Sequence, residues 1–208
     1  KRSRGTVLVF HGNAGNALDR IYYATALNRL NYRVVLAEYP GYGSRPGKVG
    51  EQPFTTDALE TIRRVQKDFG GPIFLLGESL GCGVVCAAVA KTEVSIDGVA
   101  LITPWDTLPN LAQDIYWFLP ARWIVKDRYD NMANLAKYRG PVAVILAGQD
   151  EITPNRLTRR LYEALPDPKH LWEFPQAGHN SWPSGSQEPW WGDMMNFLYP
   201  TAAGNDSK

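Results

Sequence analysis

Apolar residues in this chain recur in short runs separated by longer amphipathic stretches. Short apolar runs, continuous in 72–76 and 142–146 and more broken in 169–175, mark strands near residues 6–10, 33–37, 72–76, 97–103, 141–147 and 169–175. Continuous apolar runs of this length fit strands buried on both faces, as in parallel sheets. Between them, helical periodicity appears near residues 17–30, 54–69, 79–90, 153–164 and 187–198. Strand and helix alternate, so right-handed crossovers between parallel strands are expected. The predicted class is α/β: a mostly parallel sheet of about six strands with helices on both faces.

One segment breaks the alternation. Residues 104–140 lie between two predicted strands and hold Trp105, Tyr116, Trp117, Phe118 and Trp123. A cap-like insertion of one or two helices is expected there, over a single domain spanning residues 1–208. Its aromatics suit an acyl pocket, a membrane-dipping surface or a packing seam, and the seam is the commonest use of such side chains. Trp182, Trp190 and Trp191 carry the same alternatives.

The chemistry begins at Gly77-Glu78-Ser79-Leu80-Gly81, where the apolar run 72–76 turns directly into a helix. A G-x-S-x-G turn in that context strains its central residue and presents the serine hydroxyl; glycines two places away leave room for the turn. A serine nucleophile needs a base and a group to hold that base. Asp150 follows the run 142–146, and His179 lies in a loop after the strand 169–175. Ser79, Asp150, His179 is thus the expected chain order, with all three on one strand edge, where ligands of open α/β sheets bind. Taken alone, Asp150 reads as a cap for the helix opening near Thr153. Asp106, one strand earlier, is the rival acid. His170 lies inside a strand pattern and reads as structural.

Oxyanion donors are expected from the backbone N–H groups of Asn13 and Leu80. Asn13 lies in the His11-Gly12-Asn13-Ala14-Gly15-Asn16 loop after the first strand, and Leu80 at the start of the elbow helix. His11 reads as a residue that holds this loop. The loop lacks the Lys-Ser/Thr of a P-loop, so phosphate binding fits poorly.

These stretches, together with Tyr39-Pro40-Gly41-Tyr42-Gly43, Gly148-Gln149-Asp150 with Thr153-Pro154, and Gly178-His179-Asn180, resemble the α/β-hydrolase superfamily. Within it, the chain is similar to small-lid serine hydrolases related to α/β-hydrolase domain-containing protein 13. The resemblance implies cofactor-free hydrolysis of an ester, thioester or related acyl bond in a small-molecule substrate. A serine esterase acting on short to medium acyl chains is the leading expectation. A lipid or acyl-protein thioesterase, a peptidase and a non-catalytic binding protein are the alternatives. Trp105, Tyr116, Trp117, Phe118 and Trp182 are the candidate substrate pocket. Three departures stand out. Relatives carry two further strands before the one ending at His11, so either the chain begins late or those edge strands are absent. The serine of Ser44-Arg45-Pro46-Gly47 falls one place early. Glu78 precedes the nucleophile where relatives have a basic or neutral residue, which places a carboxylate either in the pocket or against solvent.

Composition narrows the partners. The 208 residues carry a net charge of +1, which gives no electrostatic case for nucleic acid. No run of about 18 apolar residues is present to span a bilayer, while contact with a membrane surface stays open. The two cysteines, Cys82 and Cys86, are four apart on one helix face, poorly placed for a disulfide, and a reducing cytoplasm is favoured. Clustered Cys and His residues of a zinc site are lacking. No motif speaks to oligomeric state.

Overall fold

A computed structural model describes residues 3–200. The tail from Thr201 to Lys208, expected to fray, lies outside the described residues. Six strands form one sheet: β1 (Thr6–Phe10), β2 (Arg33–Ala37), β3 (Ile73–Glu78), β4 (Gly98–Ile102), β5 (Val142–Ala147) and β6 (Lys169–Phe174). Their order is β2-β1-β3-β4-β5-β6, and every neighbouring pair is parallel. The predicted strands therefore match the observed ones to within a residue or two at each end.

Alternate residues of each strand enter two separate cores. Leu8, Phe10, Ile73, Leu75, Val142 and Val144 pack with α2 (Glu51–Phe69), α3 (Leu80–Lys91) and α7 (Asn155–Ala164). Val7, Val9, Phe74, Leu76, Ala143 and Ile145 pack with α1 (Ile21–Arg29) and α8 (Trp190–Leu198). Period-two alternation sends neighbouring side chains to opposite faces. Each Val or Leu buried this way contributes roughly 1.5–3 kcal/mol. The first helical stretch starts as a 3-10 turn over Ala17–Arg20, capped by Asn16, whose side chain accepts from Leu18 N at 2.9 Å.

The insertion between β4 and β5 holds three short helices, not the one or two expected: α4 (Leu108–Ile115), α5 (Ala121–Ile124) and α6 (Asn131–Leu135). Capping side chains divide it. Thr107 accepts from Asn110 N at 3.3 Å and Asp130 from Ala133 N at 3.0 Å, each stopping one local run and opening another. An antiparallel bridge pairs Thr107 with Asp130, closing the base of the loop. Glu51 at the start of α2 accepts from the N–H groups of Arg128 (2.6 Å) and Tyr129 (3.1 Å) and tethers that base to the body. No helix among the described residues is long and apolar enough to cross a membrane.

Candidate active site

β3 runs into α3 with a single residue between them, Ser79, whose backbone sits at φ +51°, ψ −112°. Its N–H donates to Ile102 O at the end of β4 (2.9 Å), fixing the turn against the neighbouring strand. The flanking glycines are required by contact. A Cβ on Gly81 would lie 1.9 Å from Phe10 O, and one on Gly77 would lie 2.6 Å from Gly81 O. The helix thus starts directly against the end of β1, closer than any side chain permits. Cys82 and Cys86 are free and buried, and burial pushes both thiols up. Cys82 Sγ donates to Gly77 O and Ile102 O beneath the turn.

His179 reaches the serine from the loop after β6, with Nε2 3.0 Å from Ser79 Oγ. Its Nδ1 lies 2.9 and 2.8 Å from the two carboxylate oxygens of Asp150, at the end of β5. A carboxylate only accepts, so Nδ1 carries the proton and Nε2 is free to accept from the serine hydroxyl. Asp150 is also a turn cap: Oδ1 accepts from the N–H groups of Ile152 (2.9 Å) and Thr153 (2.7 Å). It does not cap α7, whose N-cap position is Pro154, so the helix-cap reading gives way to a turn that immobilises the carboxylate facing the imidazole. Glu151, which the sequence did not single out, accepts from the His179 N–H at 3.1 Å and fixes the loop itself.

The rival acid lies elsewhere. Asp106 is fully buried; it accepts from Thr107 N and Asn110 Nδ2 and pairs with Arg160, which commits it to anchoring the insertion. His170 sits in β6 against the rings of Trp172 and Phe197.

Leu80 is the first residue of α3, so its N–H is one that a helix leaves without an internal partner. Gly12 packs beside the nucleophile; a Cβ there would lie 3.5 Å from Ser79 Cβ. Asn13 follows it, held through its side chain, which accepts from Tyr42 OH at 2.6 Å. His11 is buried under this loop, with Nδ1 2.7 Å from Gly12 O and Nε2 2.8 Å from Glu38 Oε1. Glu38 holds the same loop a second time by accepting from Ala17 N (3.1 Å).

Glu78 points away from solvent. Its carboxylate accepts from Arg20 Nη2 (2.8 Å), Tyr22 OH (3.0 Å) and Tyr23 OH (2.9 Å). Burial alone raises this carboxyl, but Arg20 and the two phenols outweigh it and hold the group below its usual range. Arg20, Tyr22, Glu78, Asn180, Trp182 and Ser184 line a pocket of about 220 Å³, whose wall includes the residues adjoining both Ser79 and His179 in sequence.

The candidate pocket aromatics are not brought together. Trp105 is 1% exposed and packs edge-on against Tyr129 (6.1 Å) in the core. Tyr116, Trp117 and Phe118 stand on the surface. Trp182 alone borders the site, packed between Tyr22, Tyr23, Trp190 and Trp191 with ring centroids 5.9 to 6.1 Å away. The reason is positional: Trp105 lies three residues after buried β4, whereas residues 116–118 fall inside the loop closed by the Thr107–Asp130 bridge.

Comparison with known proteins agrees with this architecture. The chain is 36% identical over 182 residues, 84% of its length, to an uncharacterized protein of Mycobacterium tuberculosis. It is 28% identical over 188 residues, 81% of its length, to the lysophosphatidylserine lipase ABHD12 of Danio rerio. It spans 62% of the first and 49% of the second. Among solved structures, the Paleococcus ferrophilus monoacylglycerol lipase superposes with a TM-score of 0.67 at 24% identity, covering 94% of this chain and 92% of that one. A Pyrococcus furiosus esterase superposes with a TM-score of 0.73 at 18% identity, covering 94% and 81%. Residues 5–135 match the family described as alpha/beta hydrolase fold, and with the six parallel strands and the strained serine turn in place, the chain belongs to that family.

Proposed function

We propose that the chain is a serine hydrolase that cleaves carboxylic esters through an acyl-enzyme. The observation that carries this reading is the placement of His179 between Ser79 Oγ (3.0 Å) and Asp150 (2.8 Å). In this scheme His179 Nε2 takes the hydroxyl proton as Ser79 Oγ bonds to the carbonyl carbon. The N–H groups of Leu80 and Asn13 donate to the oxyanion, each worth on the order of 3 kcal/mol in the transition state. The imidazolium returns the proton to the departing alcohol. Water then loses a proton to His179 and attacks the acyl-enzyme, and Ser79 leaves with that proton restored. Asp150 holds the tautomer and stabilises the imidazolium. A fluorophosphonate probe tests the reading: an adduct on Ser79, absent after Ser79→Ala, is expected. Labelling elsewhere, or p-nitrophenyl acetate turnover within about tenfold of the parent after Ser79→Ala, overturns it.

A preference for short to medium acyl chains needs a closed apolar pocket to set a ceiling. The exposed positions of Tyr116, Trp117 and Phe118 and the core position of Trp105 remove that support. This favours a second reading, the ester of a long-chain lipid, which fits relatives named as lysophosphatidylserine and monoacylglycerol lipases. Each methylene that finds apolar cover contributes about 0.8 kcal/mol. A kcat/KM that climbs through p-nitrophenyl palmitate selects the lipid reading, and a fall after the butyrate or hexanoate restores the shorter one.

A further inference from the structure

More than half of the exposed large apolar side chains among the described residues fall within ten consecutive positions, Ile115 to Ile124. Trp117 is 79% exposed, Trp123 72%, and Phe118 and Ile124 65% each. Leaving such side chains in water forfeits the gain of burying them, so the segment calls for a partner. Three observations say which.

The first is charge. Between residues 115 and 128 stand Arg122, Lys126 and Arg128 against Asp127 alone, in a chain whose net charge is only +1. The Arg122 guanidinium lies 5.3 Å from the Trp123 ring centroid. Aromatic and aliphatic side chains beside exposed cations are the composition that settles at the boundary between acyl chains and anionic headgroups.

The second is backbone satisfaction. The N–H groups of Leu119, Ala121, Trp123 and Val125 donate within the segment, to Tyr116 O (3.0 Å), Leu119 O (2.8 Å), Pro120 O (3.0 Å) and Ala121 O (3.0 Å). The Gln113 side chain adds two more, donating to Leu119 O (2.8 Å) and accepting from Arg122 N (3.4 Å). A segment that leaves water for a lipid interface must supply its own hydrogen bonds.

The third is position. The segment belongs to the loop closed by the Thr107–Asp130 bridge, which leaves the sheet at the C-terminal end of β4. That is the edge on which Ser79, Asp150 and His179 lie.

We propose that Ile115–Ile124 docks the protein on an anionic bilayer surface, with Trp117, Phe118, Trp123 and Ile124 entering the interface and Arg122, Lys126 and Arg128 meeting headgroups. Pairing with a second copy through the same face would set those cations against themselves, so charge favours the bilayer. The docking does not depend on Ser79 being a nucleophile, and it is measured on the Ser79→Ala protein so that hydrolysis plays no part. Flotation with phosphatidylcholine vesicles, with and without phosphatidylglycerol, is the test. Binding that requires phosphatidylglycerol, weakens with salt, and falls about tenfold or more in Trp117→Ala/Trp123→Ala is expected. Arg122→Glu/Lys126→Glu should reduce the phosphatidylglycerol dependence, and brominated lipid should quench tryptophan emission in the parent but far less in Trp117→Phe/Trp123→Phe. All these positions except Arg122 and Lys126 are aromatic side chains in solvent, and circular dichroism checks that each variant stays folded. Absence of binding to either vesicle, binding unchanged in the double tryptophan variant, or a dimer in sedimentation equilibrium that the same substitutions dissolve would overturn the proposal.

Discussion

Arg20 donates to both carboxylate oxygens of Glu78, with Nη2 2.8 Å from Oε1 and Nε 3.1 Å from Oε2. The residue immediately before Ser79 is thereby held from the turn that opens α1, 58 positions away in sequence. Burial works against the charged carboxyl, yet the bonds and charge of Arg20, with the Tyr23 and Tyr22 hydroxyls, keep its pKa below the ordinary value. The unfolded chain therefore binds the proton more readily than the folded one. The resulting stability is present above the unfolded value, about 4.3, and is lost as pH falls through the folded value. In Glu78→Gln the urea midpoint should depend less steeply on pH in that acid range. At neutral pH the variant should lose about 1–3 kcal/mol, because the partly buried Arg20 and the Tyr22 and Tyr23 hydroxyls lose their charged acceptor. A variant whose acid slope equals the parent's contradicts this account.

Ser79 occupies a backbone conformation that costs of order 1–3 kcal/mol for a residue with a side chain. Ser79→Gly should raise the melting temperature while ester turnover disappears, whereas Ser79→Ala should lose turnover with little thermal gain. Equal melting temperatures for the two variants would mean that the turn stores no strain.

Asp150 and Asp106 separate cleanly by what they touch. Asp150→Asn should lower kcat by about 10³–10⁴-fold, since an amide donor no longer selects the productive imidazole tautomer. Asp106→Asn should retain turnover within about tenfold of the parent but lose about 1–3 kcal/mol of stability, as a buried acceptor of Thr107, Asn110 and Arg160 is changed. The opposite pattern in kcat would move the acid to Asp106.

Two helical glycines should respond in opposite directions. Gly81→Ala forces a Cβ to 1.9 Å from Phe10 O and should abolish a soluble, active protein. Gly192 in α8 meets nothing within 4 Å, and Gly192→Ala should stabilise by up to about 1 kcal/mol with turnover unchanged. Thermal melts of both variants beside an ester assay decide it; a stable Gly81→Ala would disprove the close approach of α3 to β1.

Strands such as 72–76 and 142–146 were legible because both faces are buried, which writes an uninterrupted apolar run. The placement of Ser79 and Asp150 was legible because each follows such a run, and that of His179 from the Gly-containing loop after the half-buried edge strand β6. Glu78 was not, since its orientation depends on Arg20, Tyr22 and Tyr23, supplied from 55 to 58 residues away. Glu38 and Glu151 escaped for the same reason: each acts through a loop backbone whose path no local pattern encodes. Trp105 and Trp117 look alike in sequence, yet one is core and the other is solvent-facing. Periodicity fails there because the insertion is built from turns and helices of four to eight residues, too short to repeat a face.

Ser79, Asp150 and His179 issue from β3, β5 and β6, and β6 is an edge strand of the sheet. A nascent or refolding chain can close β1 on β3 and begin its core well before the imidazole exists in its place. Parallel pairing over such separations is slow, because long loops must be closed before contacts reward them. On the proposed mechanism, a chain in which the last strand has not yet docked would hold a serine without its base and would be chemically mute.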